Sequence, residues 1–439
     1  MQKSKKTFFV CTSASCRERM FDCQKISDYL KANDWALALE IKEADLLVIN
    51  TCSFNNEEDD SSTELLAHYS SRIKKGAKII VCGCMPAINP QKLEGVEIFA
   101  TITPTNLGFL DSIIGGSIGF DKIKDPVTIS RKEVSYRPVL KKMLSVKTAF
   151  FKFRANFEIK ISFFLKLLRY LKKEIKFMRL LKASINPFVL SEADNFFYIR
   201  ISNGCLGYCT YCAKKIATGT LRSKVLSDVL DEFKSKRTSP GGVFYLISED
   251  SGCYGADIGT NIAELLKEIF YAGNGFNFKL AITNFNAHWF KRYYPQIKEG
   301  LVNNRDKILY LQVPIQSGSN KVLQLMNRPY RIEEIEEYIV DLKKSAPGLA
   351  ITTDIIVGFP GESENDFEDT KNFLSRVRFN YADIFAYAPR NNSRSFNMSG
   401  EIPDKVIERR RAELLRLQSK NYSTRVLFKK ASELSKGFK

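Results

Sequence analysis

The chain has 439 residues, 44% of them hydrophobic, and a formal net charge of +18 at pH 7. This composition excludes a disordered or fibrous protein and is sufficient for roughly two or three globular domains. No signal peptide and no apolar run of about 18 residues are present, so we expect a cytoplasmic protein without stable membrane insertion. In a reducing compartment, the ten cysteines predict metal ligands, nucleophiles or packed thiols rather than disulfides.

Strand-like and helix-like segments alternate through residues 1–125, which predicts a doubly wound parallel sheet. Three of the strand-like segments, KTFFVCTS, ADLLVINTCSF and AKIIVCGCMP, end close to cysteines. Ligands gather at the carboxyl ends of such strands. Cys11, Cys52 and either Cys82 or Cys84 are therefore candidates for a shared metal cluster, and the alternative interpretation is that they are ordinary buried thiols.

Residues 126–190 are predicted to form a basic helical insertion between two domains. Within it, residues 131–184 hold sixteen Lys or Arg against three Glu. The stretch ISFFLKLLRYLKKEIKFMRLLK, residues 161–182, has the spacing of an amphipathic helix with a broad apolar face. Three roles remain open for this helix: packing on its own protein, contact with nucleic acid or a peptide, or binding to a membrane surface.

Residues 191–425 repeat the alternation with six strand-like segments, which predicts a partial (β/α)6 barrel. In chain order the segments are FFYIRISNGC, GVFYLISEDSG, FNFKLAITNFN, KILYLQVPIQSGS, LAITTDIIVGFPGE and YADIFAYAPR. The chemistry of such a barrel lies in the loops at the carboxyl ends of its strands. Residues 426–439 are predicted to be a basic tail.

The loop after the first of these strands, GCLGYCTYCAKK, holds three cysteines within eight positions, namely Cys205, Cys209 and Cys212. A structural zinc site would need a fourth ligand, and neither a second CxxC pair nor a histidine follows nearby. Three thiolates better suit a 4Fe-4S cluster whose fourth iron is open to a cofactor. Tyr211, directly before the last cysteine, is placed to cover that cofactor.

This C-x3-C-x-aromatic-C motif resembles that of the radical S-adenosylmethionine (SAM) enzymes, in which the open iron binds SAM and one electron produces a 5'-deoxyadenosyl radical. The further motifs INTCSF, VCGCMP, LQLMNRPY, TDIIVGFPGESENDFEDT and IFAYAPR occur in the order that is found in the radical SAM methylthiotransferases. CAKKIATGTLRS and EDSGCYGADIG look most like the archaeal and eukaryotic branch, which acts on threonylcarbamoyladenosine of tRNA.

The resemblance implies two 4Fe-4S clusters in addition to SAM. The ligands of the first, catalytic cluster would be Cys205, Cys209 and Cys212. The ligands of the second, auxiliary cluster would be Cys11, Cys52 and Cys84, with Cys16 as a rival to Cys11. Residues at or beside the barrel strand ends are candidates for binding SAM: Tyr211, Glu249, Asn284, Gln316, Ser317, Asp354, Gly358 and Arg390.

The reaction implied by the resemblance replaces C–H by C–S–CH3. The radical abstracts the hydrogen, the auxiliary cluster carries the sulfur, and a second SAM donates the methyl group. Both clusters must then face one cavity, so the first domain must place its strand ends over the mouth of the barrel. The expected partners are a tRNA or precursor-peptide substrate and an electron donor such as flavodoxin or ferredoxin, and the protein is expected to be a monomer.

The sequence departs from the family pattern at four motif positions, where Thr218, Glu249, Phe285 and Gln312 replace the usual Arg, Gln, Pro and His. It is also expected to lack the small C-terminal β-barrel domain that usually binds RNA in this family. If the substrate is tRNA, the basic segment is expected to bind it in a salt-dependent manner. If it is a peptide or protein residue, the apolar face of that segment is expected to recognise it. A cluster-bearing scaffold without catalysis is the third alternative.

Overall fold

The computed structural model describes residues 5–13, 16–130, 132–136, 196–236 and 241–420. The predicted amphipathic helix, most of the basic insertion and the basic tail lie outside the described residues. Among the described helices, none is long and apolar enough to span a bilayer.

The first domain is built on a parallel sheet with helices on both faces, as predicted. Its strands are Thr7–Thr12 (β1), Ala36–Leu37 (β2), Leu46–Thr51 (β3), Lys78–Gly83 (β4), Ala100–Ile102 (β5) and Val134–Tyr136 (β6). Their order is β2-β1-β3-β4-β5. The helices of the domain are Arg17–Ala32 (α1), Asn56–Ser70 (α2), Met85–Ile88 (α3) and Leu110–Ile114 (α4). The middle residues of β1, β3 and β4 are apolar because α1 and α2 bury opposite faces of the sheet.

The sixth strand extends this sheet beyond the residues assigned to it from the sequence. β6 pairs in parallel with β1, from Val10 opposite Val134 to Thr12 opposite Tyr136. β6 and β2 pair with the same edge of β1. β2 pairs with the start of β1, where Thr7 lies opposite Ala36, and β6 pairs with its end. A three-residue strand inside a basic segment has too short a pattern to be recognised from sequence.

The second domain is an open sheet of six parallel strands in the order β14-β13-β12-β11-β10-β7. Its strands, with a short antiparallel β8–β9 pair, are Phe196–Arg200 (β7), Ser202–Asn203 (β8), Arg222–Ser223 (β9), Gly242–Ile247 (β10), Phe278–Ile282 (β11), Ile308–Gln312 (β12), Ile351–Val357 (β13) and Tyr381–Ala386 (β14). Because β7 and β14 are the two edges and do not pair, the predicted partial (β/α)6 barrel is confirmed.

Helices cover the outside of this barrel. They are Lys214–Thr218 (α5), Leu226–Ser235 (α6), Ile262–Ala272 (α7), Ala287–Asn303 (α8), Asn320–Leu325 (α9), Ile332–Ser345 (α10), Glu364–Val377 (α11) and Asp404–Lys420 (α12). Short 3-10 helices in the connecting segments are Ile41–Glu43, Pro90–Leu93, Leu107–Phe109, Phe120–Lys122, Ser251–Cys253 and Arg305–Lys307.

The start of α1 enters the barrel and joins the two domains. Phe21 belongs to the cluster of buried side chains inside the barrel, together with Tyr198 and Tyr245. The Arg17 guanidinium lies 4.3 Å from the centre of the Tyr245 ring, and that of Arg200 lies 4.3 Å from the centre of the Phe21 ring. The first domain therefore docks on the barrel interior through α1, which brings its cysteine loops to the barrel mouth.

Candidate active site

A cavity of about 190 Å³ lies where the two domains meet at the carboxyl ends of the barrel strands. The barrel contributes the three cysteines of the motif loop, Cys205, Cys209 and Cys212, and the first domain contributes residues 53–55 from the loop after β3. Residues within β13 and residues at and after the end of β14 complete one wall. This is the position at which a barrel of this kind carries its chemistry.

The motif loop is held in a narrow range of conformations. Gly204 has a φ of +70°, and a Cβ there would lie 2.2 Å from the carbonyl oxygen of Thr220, so only glycine fits. A Cβ at Gly207 would lie 3.6 Å from Cys205 Sγ and 3.8 Å from Cys209 Sγ, so both sulfurs lie beside this residue. The Thr210 N–H donates to the Met326 carbonyl at 3.1 Å, which anchors the loop to the end of α9.

Arg328 provides the positive charge next to these thiols. Its Nη1 donates to Cys209 Sγ at 3.3 Å, while Nη2 donates to the Pro314 carbonyl at 2.8 Å and Nε donates to the Tyr330 hydroxyl at 3.1 Å. Burial raises the pKa of Cys205 to about 12. The Cys205 thiol thus needs a further cation to ionise, and iron would supply it.

The donor set fits a cluster better than a single ion. Within the described residues, no group of three or more His, Cys, Asp or Glu side chains is arranged to hold one metal ion. A single zinc would draw its thiolates to about 2.3 Å from one point. A 4Fe-4S cluster binds each thiolate on a different iron, so the three sulfurs of one loop need not converge on a single point.

A second set of three cysteines lies behind the cavity, on the side of the first domain. Cys16 precedes the first turn of α1, Cys52 follows β3, and Cys84 follows β4. Cys52 contributes to the raised pKa of Cys16, and Cys84 contributes to that of Cys52, so the neighbouring thiols of this set lie close together. Burial is the main cause that raises the pKa of all three thiols. These three residues are called the second triad below.

Lys214, the first residue of α5, lies between the second triad and the motif loop. Its charge interacts with each thiol of the second triad and with Cys212. Burial alone would lower the pKa of Lys214, but the nearby Glu18, Cys16 and Glu249 raise it. A charged lysine here favours the thiolate form on both sides.

Comparisons with known proteins agree with this arrangement. The model of the radical SAM superfamily matches residues 199–374, and that of uncharacterized protein family UPF0004 matches residues 8–102. A probable threonylcarbamoyladenosine tRNA methylthiotransferase of Pyrococcus horikoshii is 29% identical over 80% of this chain and 69% of its own length. The ribosomal protein uS12 methylthiotransferase RimO of Acetivibrio thermocellus is 26% identical over 92% of this chain and 80% of its own length. The chain belongs to the radical SAM methylthiotransferases.

Solved structures share the fold of this methylthiotransferase at low sequence identity. The radical SAM methyltransferase TsrM of Kitasatospora setae aligns with a TM-score of 0.55 and 10% identity, over 89% of this chain and 77% of its own. The cobalamin-dependent radical SAM enzyme OxsB aligns with a TM-score of 0.51 and 12% identity, over 97% of this chain and 56% of its own. Membership in the radical SAM superfamily implies a 4Fe-4S cluster and SAM as cofactors.

Cys11, predicted as an auxiliary ligand of the methylthiotransferase, lies away from the second triad. It is fully buried in β1 against Leu47, Leu65 and Leu66. Side chains alternate along a strand, and Cys11 falls on the face that packs against α2. Cys16, the rival identified from the sequence, lies directly before α1 and beside Cys52, so we place Cys16 rather than Cys11 in the second triad. The sequence signal for Cys16 was its position directly before the start of α1.

Of the eight residues predicted to bind SAM, six line the cavity: Tyr211, Glu249, Asn284, Gln316, Asp354 and Arg390. The other two are not among the lining residues, and their contacts show structural roles. The Ser317 hydroxyl accepts a hydrogen bond from the Ser319 N–H at 3.1 Å. The Gly358 N–H donates to Glu362 Oε2 at 2.7 Å, and a Cβ at Gly358, whose φ is +81°, would lie 2.4 Å from Ile407.

Two lining residues are engaged in joining the domains. Glu249 accepts from Arg19 Nη2 at 2.9 Å and from the Gly204 N–H at 2.9 Å. Arg390 contacts Asp59 and Asn56 of α2. Sequence reasoning missed Lys214 and Arg328 as lining residues, although both lie in quoted motifs, CAKK and LQLMNRPY.

Two carboxyl groups lie side by side on neighbouring strands inside the barrel. Asp354 of β13 and Asp383 of β14 are partners in the parallel register, and Gln312 Nε2 donates to Asp354 Oδ1 at 2.9 Å. Burial raises the pKa of Asp354 to about 6. Burial and the neighbouring Asp354 raise the pKa of Asp383 to about 8, against a smaller opposing effect of Arg17.

These shifts predict that the protein loses stability as the pH rises. An unfolded Asp has a pKa of about 3.9, so between about pH 4 and pH 8 the folded state binds more protons than the unfolded state, and stability falls across this window. We expect the free energy of unfolding, measured in urea, to fall by more than about 1 kcal/mol from pH 5 to pH 8. Asp383→Asn should make this fall smaller, whereas Asp121→Asn at an exposed carboxylate should not. Equal pH dependence in both variants would contradict the assignment.

Proposed function

We propose that this enzyme methylthiolates an adenosine of tRNA, using a cluster held by Cys205, Cys209 and Cys212 and an auxiliary cluster held by the second triad. The observation that carries the proposal is the arrangement of six cysteines from two domains as two sets of three, with Lys214 between them. Each set has three thiols, which leaves one iron of each cluster without a cysteine ligand.

When bound, the clusters and SAM supply hydrogen abstraction, sulfur and a methyl group, which side-chain acid–base chemistry cannot provide. The described side chains bind and shield these groups. Arg328 and Lys214 place positive charge beside the thiolates, which stabilises their ionised form. The rings of Phe54 and Phe385 meet edge to face at 5.3 Å across the domain boundary and provide an apolar part of the cavity wall.

An RNA substrate is favoured by the surface next to the motif loop. Tyr208 is 67% exposed, Lys215 Nζ lies 3.8 Å from the centre of its ring, and Arg394 Nη1 donates to its carbonyl at 3.5 Å. Residues 204–227 contain four Lys or Arg and neither Asp nor Glu. An exposed aromatic ring among cations suits single-stranded RNA, since bases stack on the ring and phosphates contact the cations.

A protein residue is the second candidate substrate. The observation that favours it is the match to RimO of Acetivibrio thermocellus, which covers 92% of this chain and 80% of the length of RimO. In either case, we propose that a flavodoxin or ferredoxin supplies the electron and that the enzyme acts as a monomer in the cytoplasm.

Mass spectrometry of tRNA and ribosomal proteins from cells with and without the gene tests the substrate. We expect a gain of about 46 Da on an adenosine of tRNA, the difference between SCH3 and hydrogen. Cells that express Cys212→Ser should lack it, because this variant loses a ligand of the SAM-binding cluster. A gain on a ribosomal protein alone would establish the second candidate. No gain on either, with 5'-deoxyadenosine still formed in vitro from dithionite and SAM, would overturn both.

A further inference from the structure

Four buried charged side chains form a continuous chain between the two domains. Arg200 Nη2 lies 2.6 Å from Asp22 Oδ1, Arg19 Nη1 lies 2.7 Å from Asp22 Oδ2, and Arg19 Nη2 lies 2.9 Å from Glu249 Oε1. No member exposes more than 6% of its side chain. Two positive and two negative charges make the chain neutral, which is the condition for burying it without a large desolvation cost.

One end of this chain contacts both cysteine loops. Glu249 Oε2 accepts the N–H of Gly204, the residue before Cys205, at 2.9 Å. Its Oε1 holds Arg19, which lies in the first turn of α1, three residues after Cys16. The charge of Arg19 interacts with those of Cys84 and Cys16. A single carboxylate therefore connects the motif loop to the cation beside the second triad.

The negative charge of Glu249 compensates the positive charge of Arg19, which its hydrogen bonds alone would not do. A glutamine could still accept from the Gly204 N–H, but it would leave Arg19 with one negative partner fewer. In a buried, poorly polarisable site, one uncompensated charge changes the electrostatic potential at neighbouring groups strongly. The reduction potential of an iron–sulfur cluster responds to such charges.

We propose that Glu249 is a positioning residue that acts through Arg19 to set the charge balance, and hence the reduction potential, of the auxiliary cluster. This inference rests on the proposed function, because it requires a cluster on Cys16, Cys52 and Cys84. Glu249 thus serves the auxiliary cluster from the opposite domain, and its carboxylate is occupied by protein donors.

A charge series on the reconstituted full-length protein tests the inference. Redox titrations followed by electron paramagnetic resonance give the potential of the auxiliary cluster. Glu249→Gln leaves excess positive charge, so the potential should shift to more positive values. Arg19→Gln leaves excess negative charge, so it should shift to more negative values. The double variant restores neutrality, and its potential should return toward that of the wild type. Loss of packing alone does not produce shifts of opposite sign.

Asp125→Asn is the matched control. Asp125 also joins the two domains, since Lys25 Nζ of α1 lies 2.9 Å from its Oδ1 and Lys224 Nζ lies 2.7 Å from its Oδ2. The groups that act on its pKa are Lys224, Arg200 and Lys25, so it reaches the far end of the charge chain at Arg200 but none of the cysteines. Its replacement should leave the potential unchanged. The two single variants are interpreted independently, so either one decides the sign if the other does not fold.

Two results overturn the inference and one concerns the proposed function instead. A shift of the same sign in both single variants would overturn it, as would potentials equal to those of Asp125→Asn. A wild-type protein that holds only the first cluster would contradict the proposed function, because there would be no auxiliary cluster to tune.

Discussion

Cys16→Ala is expected to halve the iron content of the reconstituted enzyme, from about eight to about four atoms per chain, and to abolish methylthiolation. Cys16 lies directly before α1 and close enough to Cys52 for that thiol to contribute to its raised pKa, and loss of one of three protein ligands would remove the cluster. The variant should still cleave SAM to 5'-deoxyadenosine, because the motif loop is unchanged. Iron analysis and product chromatography of the purified protein measure both effects.

Cys11→Ala is the matched control for this result. Cys11 has no exposed surface and packs among leucines, so its truncation should cost about 1 kcal/mol of stability and leave about eight irons. If Cys11→Ala lost half of the iron while Cys16→Ala retained all of it, the ligand set inferred from the sequence would be restored and the second triad described above would be wrong.

Arg390→Met is expected to lower the free energy of unfolding by about 3–5 kcal/mol, because it leaves Asp59 buried without its cation. The two side chains expose 3% and 4% of their surface. Asp59 also accepts from Asn89 Nδ2 at 3.0 Å and from the Ser53 hydroxyl at 2.5 Å, so the loss would disturb the loop that leads from Cys52 into α2. Urea denaturation of the full chain gives the free energy.

The double variant Arg390→Met/Asp59→Asn should recover part of this loss, because no unpaired charge then remains buried. Glu57→Gln serves as an exposed control at the same boundary. Glu57 is 64% exposed, and its Oε1 lies 4.0 Å from Arg411 Nη1 of α12, so we expect a change below about 1 kcal/mol. If Arg390→Met changed stability as little as Glu57→Gln, the pair with Asp59 would not be what holds the domains together.

Much of the fold was readable because its signals are local. Short apolar strands that alternate with helices predict parallel sheets from the sequence itself, and both sheets formed in the expected segments. β6 was missed because three residues carry too little periodicity. The partner of Asp354 was missed for a different reason: Asp383 becomes its neighbour only through the register of β13 and β14, which the sequence pattern of either strand alone does not reveal.

The predicted SAM-binding residues also divide into features that local sequence signals indicate and features that depend on tertiary contacts. Position at a strand end correctly placed six of the eight residues at the cavity, since the carboxyl ends of parallel strands share one edge. Position at a strand end did not show which of these side chains already have hydrogen-bond partners within the protein. Glu249 and Arg390 are charged residues of the kind that bind cofactors. Their side chains instead make hydrogen bonds to Arg19 and Asp59 of the first domain. Ser317 and Gly358 lie in the right loops but serve the turns themselves.

The sequence by itself determined the three-cysteine loop at 205–212. Its three cysteines lie within eight consecutive residues, so recognising the motif requires no residue that is distant in the sequence. It also determined the parallel architecture of both domains. Only the tertiary structure placed Cys16 rather than Cys11 beside Cys52, and only it decided which charged residues join the domains. These outcomes depend on contacts such as that between Asp59 and Arg390, 331 positions apart, and such contacts exist only after α1 and α2 have packed on the barrel.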